Sequence, residues 1–296
     1  MFCYGSRVFA FGGGSALDLG KLIAFMHGQV RPVWDFEDVE DWWTRADSKN
    51  ISPVIAIPTT AGTGSEAGRA SVITNSETHE KKIIFHPKML PVGVICDPEL
   101  TVGVPPLITA GTGMDAFSHC LEAYCTPLYH PLSQGIAIEG MRLIKENLFI
   151  AYSEPDNLDA RGHMMSAALM GATAFQKGLG AMHALSHPIG AVHHTHHGTT
   201  NAVVMKPVLN FNKLAIEKKI NALSRYIGIE GEFDGFCNFV ETINDKLGIP
   251  KNLTDLGLVN PDVEQLVKSA LKDPSVGGNP VTMNYDNTLK LLENCL

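Results

Sequence analysis

Six of the chain's twelve histidines fall within fifteen residues, in the run HALSHPIGAVHHTHH from His183 to His197. A second stretch, GTGMDAFSHCLEAY from Gly111 to Tyr124, places Asp115 four residues before His119, the same separation that divides His183 from His187. On an α-helix a separation of four puts both side chains on one face. A carboxylate joined by imidazoles is an intermediate-to-hard donor set, suited to iron(II), zinc, manganese, cobalt or nickel, and it contains no thiolate to favour softer ions. Histidine-rich runs also occur as solvated clusters with little hold on metal, and the Asp115/His119 stretch is what argues for a built site. The residues themselves point to Asp115, His119 and His183, and leave the remaining place open among His193, His194, His196 and His197. Glu122, seven residues beyond Asp115 and on roughly the same side, reads as an acceptor for an imidazole N–H rather than as a ligand.

The elements that must position these groups follow a clear order. The apolar run Val8 to Phe11 leads into Gly12-Gly13-Gly14-Ser15 and then into helical periodicity from Ala16 to Met26. Strand, tight turn and helix in succession put the amides of Gly13, Gly14 and Ser15 at a helix N-terminus, where an anion is stabilised. The turn is neither GxGxxG nor a P-loop. After an acidic, aromatic stretch with Trp34, Trp42 and Trp43, read as a covering segment, a second buried strand at Pro53 to Pro58 opens into TTAGTGSE. That loop offers hydroxyls at Thr59, Thr60, Thr63 and Ser65. Two strand-to-loop junctions suggest two loops at one sheet edge, where α/β proteins take ligands. Ala70 to Thr74 and Lys82 to Phe85 read as a strand pair around the turn Asn75 to Glu80, and Val92 to Cys96 as a further strand.

Near residue 104 the β-branched runs give way to helical spacing. Helices are expected at Gly113 to Tyr124, Leu132 to Asn147, Leu158 to Phe175, Ala181 to Val192, Thr199 to Phe211, Lys213 to Tyr226, Phe236 to Leu247, Pro261 to Leu271 and Tyr285 to Glu293. Pro127, Pro131, Pro155 and Pro207 mark ends or kinks.

Composition narrows the class. The chain has 296 residues, 45% hydrophobic, 18% charged and 7% aromatic, with 28 glycines, which suits an α/β protein better than a β-sandwich. A net charge of -8 argues against nucleic acid or an anionic membrane as the main partner. No apolar run reaches membrane-spanning length, and no leader of the signal type opens the chain. The six cysteines form no regular framework, which points to a reducing, cytoplasmic setting. A buried strand so close to Met1 would lack a neighbour on one side of a parallel sheet.

Five motifs in order carry a family resemblance: GGGSALD at Gly12 to Asp18, PTTAGTGSE at Pro58 to Glu66, DPELT at Asp97 to Thr101, GMDAFSHCLEAY at Gly113 to Tyr124 and HALSHPIGAVHHTHHG at His183 to Gly198. With them the chain resembles the iron-containing (group III) alcohol dehydrogenases over nearly its whole length. The resemblance implies a dehydroquinate-synthase-like fold of α/β plus all-α class, with a Rossmann-like nucleotide-binding part at residues 1–104 and a helical metal-binding and catalytic part at 105–296. It implies Asp115, His119, His183 and His197 as metal ligands, and it alone prefers His197 to its neighbours. It makes His187 a proton relay or nicotinamide neighbour. Gly13, Gly14, Ser15 and Asp18 would address the pyrophosphate; Thr59, Thr60, Thr63 and Ser65 would reach adenine, ribose or phosphate; Lys82 would point into the cofactor cleft.

The same comparison implies a truncated α/β domain, short of the family by about eighty residues ahead of the glycine turn, with sheet edges left to pair in a homo-oligomer. The expected activity is reversible NAD- or NADP-linked hydride transfer between a small alcohol or diol and its aldehyde or ketone, with Fe2+, Zn2+ or another divalent ion. A lyase resembling dehydroquinate synthase is disfavoured, since arginine and lysine are scarce from residue 111 to 198. The remaining alternative is a cofactor-deficient, metal-binding remnant without activity.

Overall fold

The computed structural model describes residues 7–77 and 81–296; Cys3 and the end of the Asn75 to Glu80 turn lie outside them. Strand β1 (Val8–Gly12) runs into helix α1 (Gly14–Met26), and β2 (Val54–Pro58) returns beside β1 in parallel register from Val8↔Val54 to Gly12↔Pro58. β3 (Ala70–Thr74) and β4 (Lys81–Phe85) form an antiparallel pair. A short β5 (Gly93–Val94) closes the parallel sheet in the order β1-β2-β5. The expected strand at Val92 to Cys96 shrinks to these two residues.

Helix α1 seals one face of the β1-β2 pair. A side chain at Gly20 would put its Cβ 2.5 Å from that of Ala10, so only glycine allows helix and strand to approach this closely. Around this contact Ala10, Leu17, Ala24, Val54 and Ala56 form a small apolar cluster. The tryptophan-bearing segment covers the far end, where Trp34 packs against a second cluster built on Phe25, Phe36 and Ile84. The expectation of a truncated α/β domain is thereby corrected: β2 pairs with β1 along its whole length, α1 covers the pair, and the helical metal-binding part stands beside an α/β part that is present.

The remainder is helical: α2 (Pro106–Cys125), α3 (Pro131–Ser153), α4 (Leu158–Ala174), α5 (Ala181–His193), α6 (His197–Ile227), α7 (Glu232–Lys246), α8 (Val263–Ala270) and α9 (Tyr285–Glu293). Proline opens α2 in its first turn, where its missing N–H costs nothing. Every residue from Thr109 to Cys125 is buried, so α2 is the central post of the bundle and α3, α4 and α6 surround it. Its C-terminal carbonyls are met by two lysines: Lys177 donates to Ala123 and Thr126, and Lys219 to Tyr124, Cys125 and Thr126. Cations there oppose the negative end of the helix dipole. Among the described residues all five cysteines are free, and no helix is long and apolar enough to cross a membrane.

Candidate metal centre

Asp115 and His119 project from one face of α2, His183 from the first turn of α5, and His197 opens α6. Asp115, His119 and His183 each offer a ligand atom within 4.8 Å of the others. Asp115 Oδ1 is the hub: Nε2 of His197 lies 3.4 Å from it, Nε2 of His119 3.7 Å and Nε2 of His183 3.8 Å. Two ligand atoms on a tetrahedral ion with bonds of about 2.1 Å stand about 3.4 Å apart. These spacings are too long for hydrogen bonds and fit donors grouped around one divalent cation.

Protonation favours the same use. Burial alone would raise Asp115, but His119, His197, His183 and the Asn201 amide bring it down to about 2, so it is a carboxylate. Burial holds His183 and His197 well below the ordinary histidine value, and neutral imidazoles are what a cation requires. His183 is oriented from behind: its Nδ1 lies 2.6 Å from Glu122 Oε2, while Glu122 Oε1 accepts from the Met182 amide at 2.7 Å. Helix α5 has no side-chain cap, so Glu122 also serves its free N-terminal amides.

The turn between α5 and α6 accounts for the other histidines. His194 takes the left-handed conformation, φ 56°, that ends α5, and His196 caps α6 by accepting from the Thr199 amide at 3.3 Å. His193 closes the last turn of α5. The side chains of His187 and His197 keep 24% and 28% of their surface exposed, against 2% to 6% for Asp115, His119 and His183. His187 stacks on His197 with ring centroids 5.2 Å apart, and its Nδ1 meets Asp273 Oδ2 at 2.7 Å.

The two polar loops at the sheet edge meet. A Cβ on Gly14 would fall 2.6 Å from Thr63 Cγ2, and one on Gly13 would lie 3.5 Å from Thr60. Gly13 caps α1 without a side-chain hydrogen bond and no acid occupies the first turn, so the first amides remain for an anion. Asp18 and Ser65 are turned inward. Ser65 Oγ donates to Asp18 Oδ1 at 2.5 Å, the Val72 amide donates to Asp18 Oδ2 at 3.0 Å, and the buried Lys21 ammonium lies 3.0 Å from Asp18 and 2.9 Å from the Ser65 carbonyl. Together they brace the Thr59 to Ser65 loop on α1. Lys82 pairs with Glu37 at 3.1 Å.

A family model described as the Fe-containing alcohol dehydrogenase family, C-terminal, matches residues 109–296, and a second, iron-containing alcohol dehydrogenase, matches residues 5–98. The chain belongs to the iron-containing alcohol dehydrogenase family. The second match takes up at residue 5, so the expectation of a truncated nucleotide part is corrected to one that the family model covers from residue 5 to residue 98. The chain is 36% identical over 294 residues to a 4-hydroxybutyrate dehydrogenase of Cupriavidus necator, covering 96% of this chain and 76% of the relative. A crystal structure of 1,3-propanediol oxidoreductase superposes with a TM-score of 0.92 at 32% identity, covering 98% of this chain and 77% of that one. The sulfoacetaldehyde reductase of Bifidobacterium kashiwanohense, solved in complex with NAD+, gives 0.88 at 31% identity, with 97% and 75% covered. Membership makes the chain an NAD(P)-dependent alcohol dehydrogenase.

Three residues beside the dehydrogenase's metal centre stand outside the motif residues named above. Asn201, wholly buried, reaches Asp115 from the second turn of α6. Its separation of four from His197 was a usable signal. Asp273 lies 86 residues from the His187 it contacts, and no local pattern joins them. Lys81 turns toward the centre: a Cβ on Gly190 would lie 3.7 Å from its ammonium, and burial lowers its pKa while Asp115 and Asp273 act to raise it. Adjacent residues of a strand face opposite ways, so a one-residue slip changes the lysine.

Proposed function

We propose that the protein interconverts a small alcohol or diol with its aldehyde or ketone, using NAD or NADP and one divalent cation held by Asp115, His119, His183 and His197. The convergence of three imidazole nitrogens on Asp115 Oδ1, beside the partly exposed rings of His187 and His197, carries this reading. When bound, the cation polarises the substrate oxygen and the nicotinamide gives or takes the hydride. Iron(II) is the ion the family match favours.

Asp115 is the one charged ligand of the four, so the chain cancels half of a divalent charge and leaves the substrate pocket positive. Asp273 has its pKa lowered; although burial would raise it, its contact with His187 prevails, and as a carboxylate it accepts from Nδ1. That fixes the tautomer in which His187 Nε2 holds a lone pair, able to take the alcohol proton. The amides of Gly13, Gly14 and Ser15 with the hydroxyls of Thr59, Thr60 and Thr63 would seat the pyrophosphate and its ribose. Asp18 and Ser65 would keep that loop in place, and Lys81 would supply the cation over the cleft in the place first given to Lys82.

A division into residues 1–104 and 105–296, with the cofactor bound between, suits this arrangement. The free cysteines support a cytoplasmic setting. Phe9 and Phe11 on the edge strand β1 are 65% and 59% exposed, which favours a homo-oligomer; a single-chain species in sedimentation at high concentration would count against it.

The direct test supplies purified protein with Fe(II) or Zn(II), NADH or NADPH and short aldehydes, and follows the reduced nicotinamide. Aldehyde-dependent oxidation is expected, and His187→Ala should cut kcat by about 100-fold or more with metal content unchanged. Protein that binds metal and nicotinamide yet turns over no member of the panel would refute the assignment.

A further inference from the structure

We infer that Asn201 is a positioning residue for the metal centre, fixing the Asp115 oxygen that the histidine ligands face; the inference rests on the four-ligand reading above. The side chain is wholly buried, and its Nδ2 donates to Asp115 Oδ1 at 2.9 Å. The same nitrogen lies 3.3 Å from His183 Nε2 and 3.2 Å from His197 Nε2. One amide therefore touches three of the four ligand atoms.

Its position is set by backbone packing. A Cβ on Gly198 would fall 2.0 Å from the Gly111 carbonyl oxygen and 2.9 Å from Asp115 Cβ, so α6 lies directly on α2 and presents Asn201 to the carboxylate. A carboxylate oxygen has two lone pairs. Asn201 takes one on Oδ1, leaving one on that oxygen for the cation, which fixes the direction in which Oδ1 faces the other ligands and draws off part of its charge. The effect is a more electrophilic centre of fixed geometry, as expected when outer contacts orient ligands.

Cobalt(II) tests this without reference to turnover. Wild type, Asn201→Ala and Asn201→Asp are titrated with cobalt against a chromophoric chelator, and their visible bands recorded. Asn201→Ala should bind cobalt about 10- to 100-fold more weakly. Asn201→Asp keeps the side chain's shape but replaces the donor by an acceptor, and should change the position or intensity of the bands even if the alanine variant does not fold. An Asn201→Ala variant that folds and matches wild type in affinity and spectrum, or an Asn201→Asp variant whose bands are unchanged, overturns the inference alone. Wild type that takes up no cobalt would overturn the four-ligand reading with it.

Discussion

Glu122 brings a carboxylate to a place with no solvent. Burial raises it to about 7, against the pull of the Met182 and Gly180 amides and His119. Such a group is worth retaining only if its oxygens are used, and both are, one by Met182 N–H and one by His183 Nδ1. Glu122→Gln keeps the volume but can offer only one acceptor oxygen, so one of these two contacts fails. Metal affinity should fall about 10- to 100-fold by competitive titration; an unchanged affinity would show that the α5 backbone alone orients His183. At this scale much of the centre was legible, because Asp115, His119, Glu122 and His183 sit at helical spacings and a helix converts spacing into a shared face. Spacing did not single out His197, since four histidines near the end of one turn compete; the family motifs preferred it, and the geometry of His194 and His196 as cap residues agrees. The nearness of Lys81 to the centre was not legible for a different reason, as the face of a strand reverses with each residue.

The centre exists because two helices touch without side chains between them. Gly198 of α6 and Gly111 of α2 meet at backbone distance, and His197 and Asn201 flank that contact. Gly198→Ala must push the helices apart, at a cost of about 1 to 3 kcal/mol for overpacking. A fall in Tm together with loss of metal binding is expected, whereas a variant that loses stability but keeps wild-type metal affinity would locate the site's rigidity elsewhere. Most elements followed from periodicity, but α6 did not. It was read as two helices parting at Asn212, and it runs unbroken from His197 to Ile227. Asn212 is polar but buried, paired reciprocally with Asn279 at 2.9 Å, so a tertiary contact satisfies what looked like a loop residue. Pro207 lies within the same helix rather than at its end.

Over the whole molecule the order of parts was readable, from glycine turn through threonine loop to the paired histidine helices. What misled was the strand close to Met1. It has one neighbour in the described sheet, β2, about fifty positions later in sequence with Val8 opposite Val54, and such non-local pairing leaves no trace in a window of residues. The nucleotide loops and the metal ligands belong to different parts of the chain, and hydride transfer demands that both be correctly built. The claim most open to direct contradiction is that one cation joins α2, α5 and α6. Anomalous diffraction from crystals grown with iron or zinc should show a single peak at about 2.0 to 2.2 Å from Asp115 Oδ1 and from Nε2 of His119, His183 and His197. A peak confined to His193, His194 or His196, or density with no anomalous signal among the four, would contradict it.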